Sequence, residues 1–557
     1  MSTSITRRNF IKTTSIVGTG LFLGISMKHG FDLIIKNGLI VDGSGGNPYK
    51  ADIGIVDDLI YAIGDLSDAA AHKTIDAVNQ IVCPGFIDIH THTDIELLVN
   101  NHAESKIHQG VTTEISGNCG SSPFPFNDAD AKEYSSYQNK RYGIDIYWKN
   151  LDGFYEAIEK NKTSINYATF TGHGDLRAFV VGKNNVTPSS EEMKKMQSVL
   201  RETMEMGSLG LASGLEYAPS SYGNTDELIE LCKIVSKYNG VYATHMRNED
   251  DTVIEAVEEA LEISREANVS LQISHLKSCN KSNWHKTEKF LKQIHSAYDK
   301  GLPVAADRYP YVAYGTGMST FLPIDTRQGS TDEIVARLKD NSKRDEINEY
   351  ISSRGDRIGG WDRYMISYCA SKKNKNFEGK TIQQCASSSG TDEVSFIREL
   401  LVEERLGAGI VGFAMDEGNL HTVLKDPLVS IGSDGSAKAP YGKLSSGNPH
   451  PRFYGTHPRV LGKYCREEKL FDIQTAVKKM TLMPAEKLGL RGRGLLKKNN
   501  FADIVVFDPN TVIDNATFEK PHQYPSGISY VVVNGKITVK DNVHTGEVNG
   551  KVLRHNA

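Results

Sequence analysis

Short apolar segments alternate with longer amphipathic segments through the middle of this 557-residue chain. Each apolar segment is bounded by polar turns, as buried strands are. These predicted strands are residues 110–116, 165–170, 209–213, 241–245, 271–275, 304–306 and 429–431. The predicted helices between them include residues 191–206, 226–238 and 251–267. Alternation of strands and helices predicts a parallel sheet, which requires crossover connections.

An eighth strand precedes the others, within the segment from Phe86 to Asp94. Phe86, Ile87 and Ile89 make this segment strand-like. Eight strands with helical connections predict an α/β protein with a (β/α)8 barrel, whose active groups sit at the C-terminal ends of the strands. Alternate residues of a strand point to one side, so His90 and His92 can project together.

Both ends of the chain have a different pattern, with short strands separated by glycine-rich turns. The predicted strands there are residues 31–38, 39–41, 52–56, 502–508, 528–533 and 536–539. We predict one small β-sandwich domain built from residues 31–85 and 490–557. It would enclose a barrel domain spanning residues 86–489.

The segment from about residue 308 to residue 380 is too long and irregular for a strand–helix connection. It begins with a tyrosine- and glycine-rich stretch and continues with charged helical stretches around residues 331–352. We interpret it as an insertion that covers the barrel mouth as a lid.

Composition narrows the class of protein. The chain is 39% hydrophobic and 24% charged, which is ordinary for a globular protein, and its net charge of −5 argues against nucleic-acid binding. The seven cysteines are scattered and contain no C-x-x-C pair, so the sequence predicts no disulfide framework.

The first thirty residues are typical of an export signal. Arg7 and Arg8 form a twin-arginine pair, and a glycine-rich apolar run follows from Ile16 to Ile25. The run is too short to cross a bilayer, so we expect no membrane span in the mature protein. The interpretation is export of a folded protein to the periplasm through the twin-arginine pathway; a disordered basic segment is the alternative.

Metal-competent side chains stand at the ends of five predicted strands. They are His90, His92, Cys119, His245, His275 and Asp434. Each has another explanation: a histidine caps a helix, a cysteine fills a buried turn, and Asp-Gly is a common turn. Together at one edge of a barrel, four imidazoles, a thiol and a carboxylate predict a site for one or two zinc ions with a position left for water.

Several motifs resemble the N-acyl-D-amino-acid deacylases (D-aminoacylases) of the amidohydrolase superfamily. The matching motifs are His90-Thr-His92, Gly117-Asn-Cys-Gly120, Gly172-His-Gly174, Ala243-Thr-His-Met-Arg247, Ser274-His-Leu-Lys277, Gly432-Ser-Asp-Gly435 and His450-Pro-Arg452. The likeness runs in one order from about residue 31 to residue 546. The Gly-Asn-Cys-Gly turn is its most specific part, because most of the superfamily bridges its metals with a carbamylated lysine instead.

The resemblance implies a division of the zinc ligands. Cys119, His245 and His275 would hold one tightly bound zinc ion. His90, His92 and Asp434, sharing Cys119, would form a second, weaker site. Glu216 follows the fourth strand, where related enzymes keep a bridging carboxylate, and it would be either a ligand or a partner of one.

The function that the resemblance implies is zinc-dependent hydrolysis of N-acyl-D-amino acids, with a small-molecule substrate. Asp434 would take a proton from the attacking water and pass it to the leaving amine. Lys277, Arg452, Tyr217 and Tyr309 are the candidates for binding the substrate carboxylate; surface charge or aromatic packing is the alternative for each.

Two other functions remain open at this point. One is a cyclic amidase like dihydroorotase or hydantoinase, or a dipeptidase, of the same superfamily. The cysteine turn and His450-Pro-Arg452 argue against it. The other is a catalytically inactive barrel that serves as a periplasmic binding or scaffold protein, and it would require the loss of a ligand that the sequence retains.

Overall fold

The computed structural model describes residues 30–555. The predicted export signal therefore lies almost wholly outside the described residues. Within the described part of the chain, no helix is both long and apolar enough to cross a membrane.

Both ends of the chain build one β-sandwich, as the pattern predicts. One sheet has the strand order Leu59–Gly64, Asp52–Val56, Phe31–Lys36, Ala71–Asp76. The other has the order Val543–His544, Lys536–Lys540, Ile528–Val533, Ile504–Phe507, Ile81–Pro84, Leu39–Ile40, Tyr49–Lys50. The two halves join where Ile504 pairs with Pro84 in an antiparallel ladder. Apolar side chains of both sheets, such as Ile53 and Val506, form the core between them.

The central region is a barrel of eight parallel strands, which confirms the predicted fold. Its strands are Phe86–Asp88, Val111–Ser116, Asn166–Thr169, Gly210–Gly214, Val241–His245, Ser270–Ile273, Val304–Arg308 and Val429–Ile431. A two-residue strand, Thr171–Gly172, continues the third. The last strand meets the first through a parallel bridge between Thr91 and Gly435 and through the Asp434 N–H, which donates to the His90 carbonyl at 2.8 Å.

Amphipathic helices surround the barrel. They include Leu151–Asn161, Ser190–Glu205, Thr225–Lys237, Val253–Ala267, Thr287–Asp299, Glu417–Lys425 and Ile473–Met480. In Val253–Ala267 the apolar residues recur at helical spacing and are buried against the neighbouring helices and strands. Because the helices cover the outside, polar chemistry is confined to the ends of the strands.

The insertion after the seventh strand is longer than the predicted 308–380 and forms a unit of its own. Its antiparallel sheet has the order Tyr314–Gly317, Gly409–Gly412, Tyr364–Tyr368. Its helices include Thr331–Lys339, Arg344–Ile358, Ile382–Ser389 and Glu393–Glu403. The central strand, Gly409–Gly412, lies beyond the predicted limit. A strand this short joins one unit or another according to the distant strands with which it pairs.

Candidate metal centre

A glycine-flanked turn after the second barrel strand carries Cys119. Gly117 and Gly120 adopt φ values of 74° and 79°, and a Cβ on Gly117 would lie 2.2 Å from the Phe170 carbonyl oxygen. Only glycine tolerates both conditions. Cys119 itself adopts φ 52°, an uncommon conformation for a residue with a side chain. The turn brings its thiol among the histidines of the other strands.

The Cys119 thiol is surrounded by imidazoles. Its Sγ lies 3.4 Å from Nε2 of His90 and 3.4 Å from Nε2 of His275. Burial alone would raise the pKa of the thiol, but the charges of these two rings hold it well below its ordinary value. The thiolate is the form that binds metals.

His245 ends the fifth barrel strand, and its ring centroid lies 4.6 Å from that of His275. Although burial favours the neutral ring, Glu249 and Cys119 raise the pKa of His245 to about 10. Both ring nitrogens are buried and have no hydrogen-bond partner within residues 30–555. Buried polar atoms in native structures are normally satisfied, so this orphaned imidazole fits a metal ligand.

Asp434 stands beside the first pair of histidines. Its Oδ1 lies 3.0 Å from Nε2 of His92 and 3.5 Å from Nε2 of His90. Its Oδ2 lies 2.9 Å from an Arg452 guanidinium nitrogen. Burial opposes ionisation, but Arg452 and the neighbouring histidines hold the pKa of Asp434 well below its ordinary value. The carboxylate is therefore ionised and faces the centre as an acceptor.

Two carboxylates that the sequence did not identify lie beside the Nδ1 atoms of His90 and His275. Asp307, at the end of the seventh strand, is 3.1 Å from Nδ1 of His90. Glu249 is 2.8 Å from Nδ1 of His275 and 2.5 Å from Nζ of Lys277. A proton on each Nδ1 suits these carboxylates and leaves both Nε2 atoms as donors to a metal. Asp307 had a recognisable signal, a carboxylate at a strand end, whereas Glu249 lies in a charged loop.

The structure brings all six predicted strand-end ligands together. Candidate ligand atoms of His90, Cys119, His275 and Asp434 lie within 4.8 Å of one another, and so do those of His245, Glu249 and His275. His275 belongs to both groups, and His92 joins through Asp434. The spacing thus favours a shared, two-centre site, although it groups the ligands differently from the division implied by the resemblance. A thiolate, imidazoles and carboxylates form a donor set that suits zinc.

The predicted carboxylate-binding side chains are less free than the sequence indicated. Lys277 is tied to Glu249 and Arg452 to Asp434. The Tyr217 hydroxyl lies 3.1 Å from that of Thr316 in the insertion, and its ring contacts His245. Tyr309 is fully buried rather than on the cavity wall, with its ring 4.7 Å from the Arg452 guanidinium.

Glu216 faces the centre without belonging to either group of ligand atoms. Its Oε2 lies 3.6 Å from Nε2 of His245. That separation is too long for a hydrogen bond, so Glu216 acts on His245 through its charge.

A cavity of about 590 Å³ opens over these residues. Its floor is the barrel ends, including Cys119, His245 and Asp434, and one wall is the insertion, including Tyr314 and Ile410. This volume lies within the roughly 300–1,000 Å³ of small-molecule sites. The insertion thus has the position predicted for a lid.

The sequence is similar to those of known amidohydrolases and deacylases. The model of the amidohydrolase family matches residues 73–539. A D-aminoacylase from Alcaligenes xylosoxydans xylosoxydans is 36% identical over 534 residues, which cover 95% of this chain and 98% of that protein. An N-acyl-D-glutamate deacylase from the same organism is 33% identical over 535 residues, with the same coverage of both chains.

A solved structure resembles the whole fold. It is the N-acyl-D-glutamate deacylase of Bordetella bronchiseptica, complexed with zinc and a phosphonate inhibitor that mimics the tetrahedral intermediate. The TM-score is 0.80 at 31% identity, covering 94% of this chain and 100% of that chain.

Proposed function

Since the chain belongs to the amidohydrolase family, we propose that it is a zinc-dependent hydrolase of N-acyl-D-amino acids, which releases a carboxylate and a free D-amino acid. The observation that carries the proposal is the Cys119 thiol within 3.4 Å of two strand-end imidazoles, beside the Asp434 carboxylate. The relatives named for deacylation of D-amino acids, which match nearly the whole chain, support the same reaction.

The residues that would hold zinc are those already assembled at the strand ends. Cys119, His245 and His275 would hold the tighter ion, and His90, His92 and Asp434 would complete a weaker site that shares Cys119. Bound zinc lowers the pKa of a coordinated water from 15.7 to about 7 and polarises a carbonyl oxygen. Asp307 and Glu249 would fix the ring orientation of His90 and His275.

Asp434 would move the proton in the reaction. As an ionised carboxylate it accepts a proton from the attacking water and then delivers it to the leaving nitrogen, whose departure requires protonation. Arg452, 2.9 Å away, holds Oδ2, so that Oδ1 is the atom presented to the histidines and the reacting water.

Cationic and phenolic side chains beside the centre would orient the substrate. We assign the α-carboxylate to Lys277 and Arg452, both buried next to the metal ligands, with Tyr217 at the same wall. Arg452 suits a planar carboxylate because its guanidinium donates two parallel hydrogen bonds. Tyr309, whose hydroxyl has no hydrogen-bond partner among the described residues, would support Arg452 from below the wall.

The zinc-loaded enzyme should release amine from N-acetyl-D-leucine with a kcat/KM at least about a hundredfold higher than from N-acetyl-L-leucine. When the carboxylate of the L-enantiomer is bound, its amide carbonyl lies away from the metal centre. Treatment with a chelator should abolish both rates, and added zinc should restore them. Equal rates for the enantiomers, or faster opening of hydantoin or dihydroorotate, would contradict the proposal.

We also propose export through the twin-arginine pathway, on the strength of Arg7 and Arg8 followed by a short apolar run. Arg7→Lys with Arg8→Lys keeps the charge but removes the pair, so the protein should stay in the cytoplasmic fraction. Lys12→Arg, which leaves the pair intact, is the control. Periplasmic recovery of the double variant at the wild-type level would refute the proposal.

A further inference from the structure

Arg141 lines the cavity beside the insertion strand Tyr364–Tyr368. It stands near the end of the helix Asp128–Tyr142, and its guanidinium carbon lies 4.7 Å from the ring centroid of Tyr142 and 5.1 Å from that of Tyr368. It also donates to the Tyr137 hydroxyl at 3.2 Å. Packed between aromatic rings, the guanidinium is held in place rather than free in solvent.

Lys438 also lines the cavity, in the loop after the last barrel strand, four residues beyond Asp434. Its backbone is held at both ends by Ser105: its N–H donates to Oγ of Ser105, and its carbonyl accepts from the Ser105 N–H, each at 2.8 Å. Its Nζ lies 5.9 Å from the Phe453 ring centroid. Burial, with a contribution from Arg141, lowers the pKa of Lys438.

Within the described residues, these two cations differ from Lys277 and Arg452 in having no carboxylate partner. Lys277 and Arg452 are ion-paired with Glu249 and Asp434. Among residues 30–555 neither Arg141 nor Lys438 forms an ion pair with a carboxylate within 4.0 Å, and the side-chain hydrogen bond of Arg141 goes to the Tyr137 hydroxyl. Glu96 acts on both only at longer range. Because no internal carboxylate neutralises them at contact distance, both cations are available to an anionic group of a ligand in the cavity.

We propose that Arg141 and Lys438 bind a second carboxylate of the substrate, distinct from the α-carboxylate. The inference rests on the proposed deacylation and names its substrate class: N-acyl-D-amino acids that carry a carboxylate either on the amino-acid side chain or on the acyl group. The planar guanidinium contacts such a group at two points, and the ammonium adds a third contact. Tyr368 and Phe453 form the apolar sides of this subsite.

The test compares N-acetyl-D-glutamate, N-succinyl-D-leucine and N-acetyl-D-leucine on the wild type and on Lys438→Gln. For at least one of the two dicarboxylic substrates, kcat/KM should fall about 10- to 100-fold, the range expected for one lost charge-assisted hydrogen bond. The loss should appear in KM with kcat nearly unchanged, because the contact holds a remote group equally in ground and transition states. N-acetyl-D-leucine should change less than about threefold.

A loss of kcat/KM with N-acetyl-D-glutamate alone would assign the subsite to an acidic amino-acid side chain. A loss of kcat/KM with N-succinyl-D-leucine alone would assign it to a dicarboxylic acyl group. Lys438→Arg, which keeps the charge, should retain the preference. Lys375→Gln is the matched control, because Lys375 lies 4.5 Å from the same Tyr368 ring but pairs with Glu378 and does not line the cavity. Equal changes for all three substrates would overturn the inference.

A direct binding measurement tests the subsite independently of the proposed deacylase function. Calorimetric titration of the zinc-loaded protein with glutarate should show binding to the wild type that weakens at least about tenfold in Lys438→Gln. If the wild type hydrolyses none of the three substrates, the deacylase assignment fails while this titration still decides the subsite. Glutarate binding that is unchanged in Lys438→Gln, or absent in the wild type, would overturn the subsite itself.

Discussion

Cys119→Ala is expected to lose its zinc and its activity together. The Cys119 Sγ is the atom that lies 3.4 Å from both His90 and His275, so its removal takes a ligand from each half of the centre. Loss of a partner behind a ligand typically lowers metal affinity by about 10–100-fold, and loss of the shared ligand itself should exceed that. We expect kcat/KM for N-acetyl-D-leucine to fall more than about a hundredfold, with most of the zinc absent by elemental analysis.

Cys279→Ala is the matched control for this experiment. Cys279 lines the same cavity, but burial raises the pKa of its thiol, which disfavours the metal-binding thiolate. This variant should keep its zinc and its activity within about threefold. If Cys119→Ala retains zinc and activity, Cys119 is not the bridging ligand.

The second large effect is expected for Asp434→Asn. The amide keeps the size of the side chain but cannot accept a proton, and general acid–base help contributes typically about 10²–10⁴-fold. Because one group would serve both proton transfers, kcat should fall at least about a thousandfold. The tighter zinc should remain, since the ligand set proposed for it, Cys119, His245 and His275, does not include Asp434.

Zinc content measured beside kcat separates the two roles of Asp434. Retained zinc with lost kcat identifies a proton carrier, whereas parallel loss of both reduces the residue to a ligand. Asp175→Asn is the control at the cavity wall: its carboxylate accepts from the Ser122 N–H, which an amide oxygen also does, so kcat should change less than about tenfold. Near-normal turnover in Asp434→Asn would rule out the proposed proton transfer.

The barrel and the placement of the candidate ligands at one edge of it could be predicted from the sequence, because both depend on local signals. Each strand is a short apolar run, and each candidate ligand, such as His245 or Asp434, stands at or just beyond the end of one. Parallel pairing then brings those ends to one edge whatever the connections contain. The barrel fold was therefore predictable without knowing how the surrounding helices pack.

Glu249 was missed because its signal is not local. It stands four residues after His245 in the charged stretch Arg247-Asn-Glu-Asp-Asp251, which in sequence is typical of a solvated loop. Only the fold brings Lys277 within 2.5 Å of it, and the pair is buried as a consequence. For the same reason the sequence showed that Lys277 and Arg452 are cations but not that each already has an internal carboxylate partner.

The C-terminal limit of the insertion could not be predicted from local sequence signals either. Gly409–Gly412 is a four-residue apolar strand, no different in composition from a barrel strand. It joins the insertion because Gly412 pairs with both Tyr314 and Tyr364, which lie far away in the sequence. Long-range pairing of this kind leaves no signal in the residues themselves.

The β-sandwich makes the order of synthesis matter for this chain. The strand Ile81–Pro84 pairs with Ile504–Phe507, so it leaves the ribosome about 420 residues before its partner exists. At roughly 5–20 residues per second this wait lasts about 20 to 80 seconds. Throughout it, one edge of the strand is open to pairing with other nascent chains. Every candidate metal ligand, from His90 to Asp434, is made during that interval, and the sandwich closes last. Yield in a heterologous host should therefore depend on chaperone capacity and growth temperature more than on the stability of the finished protein.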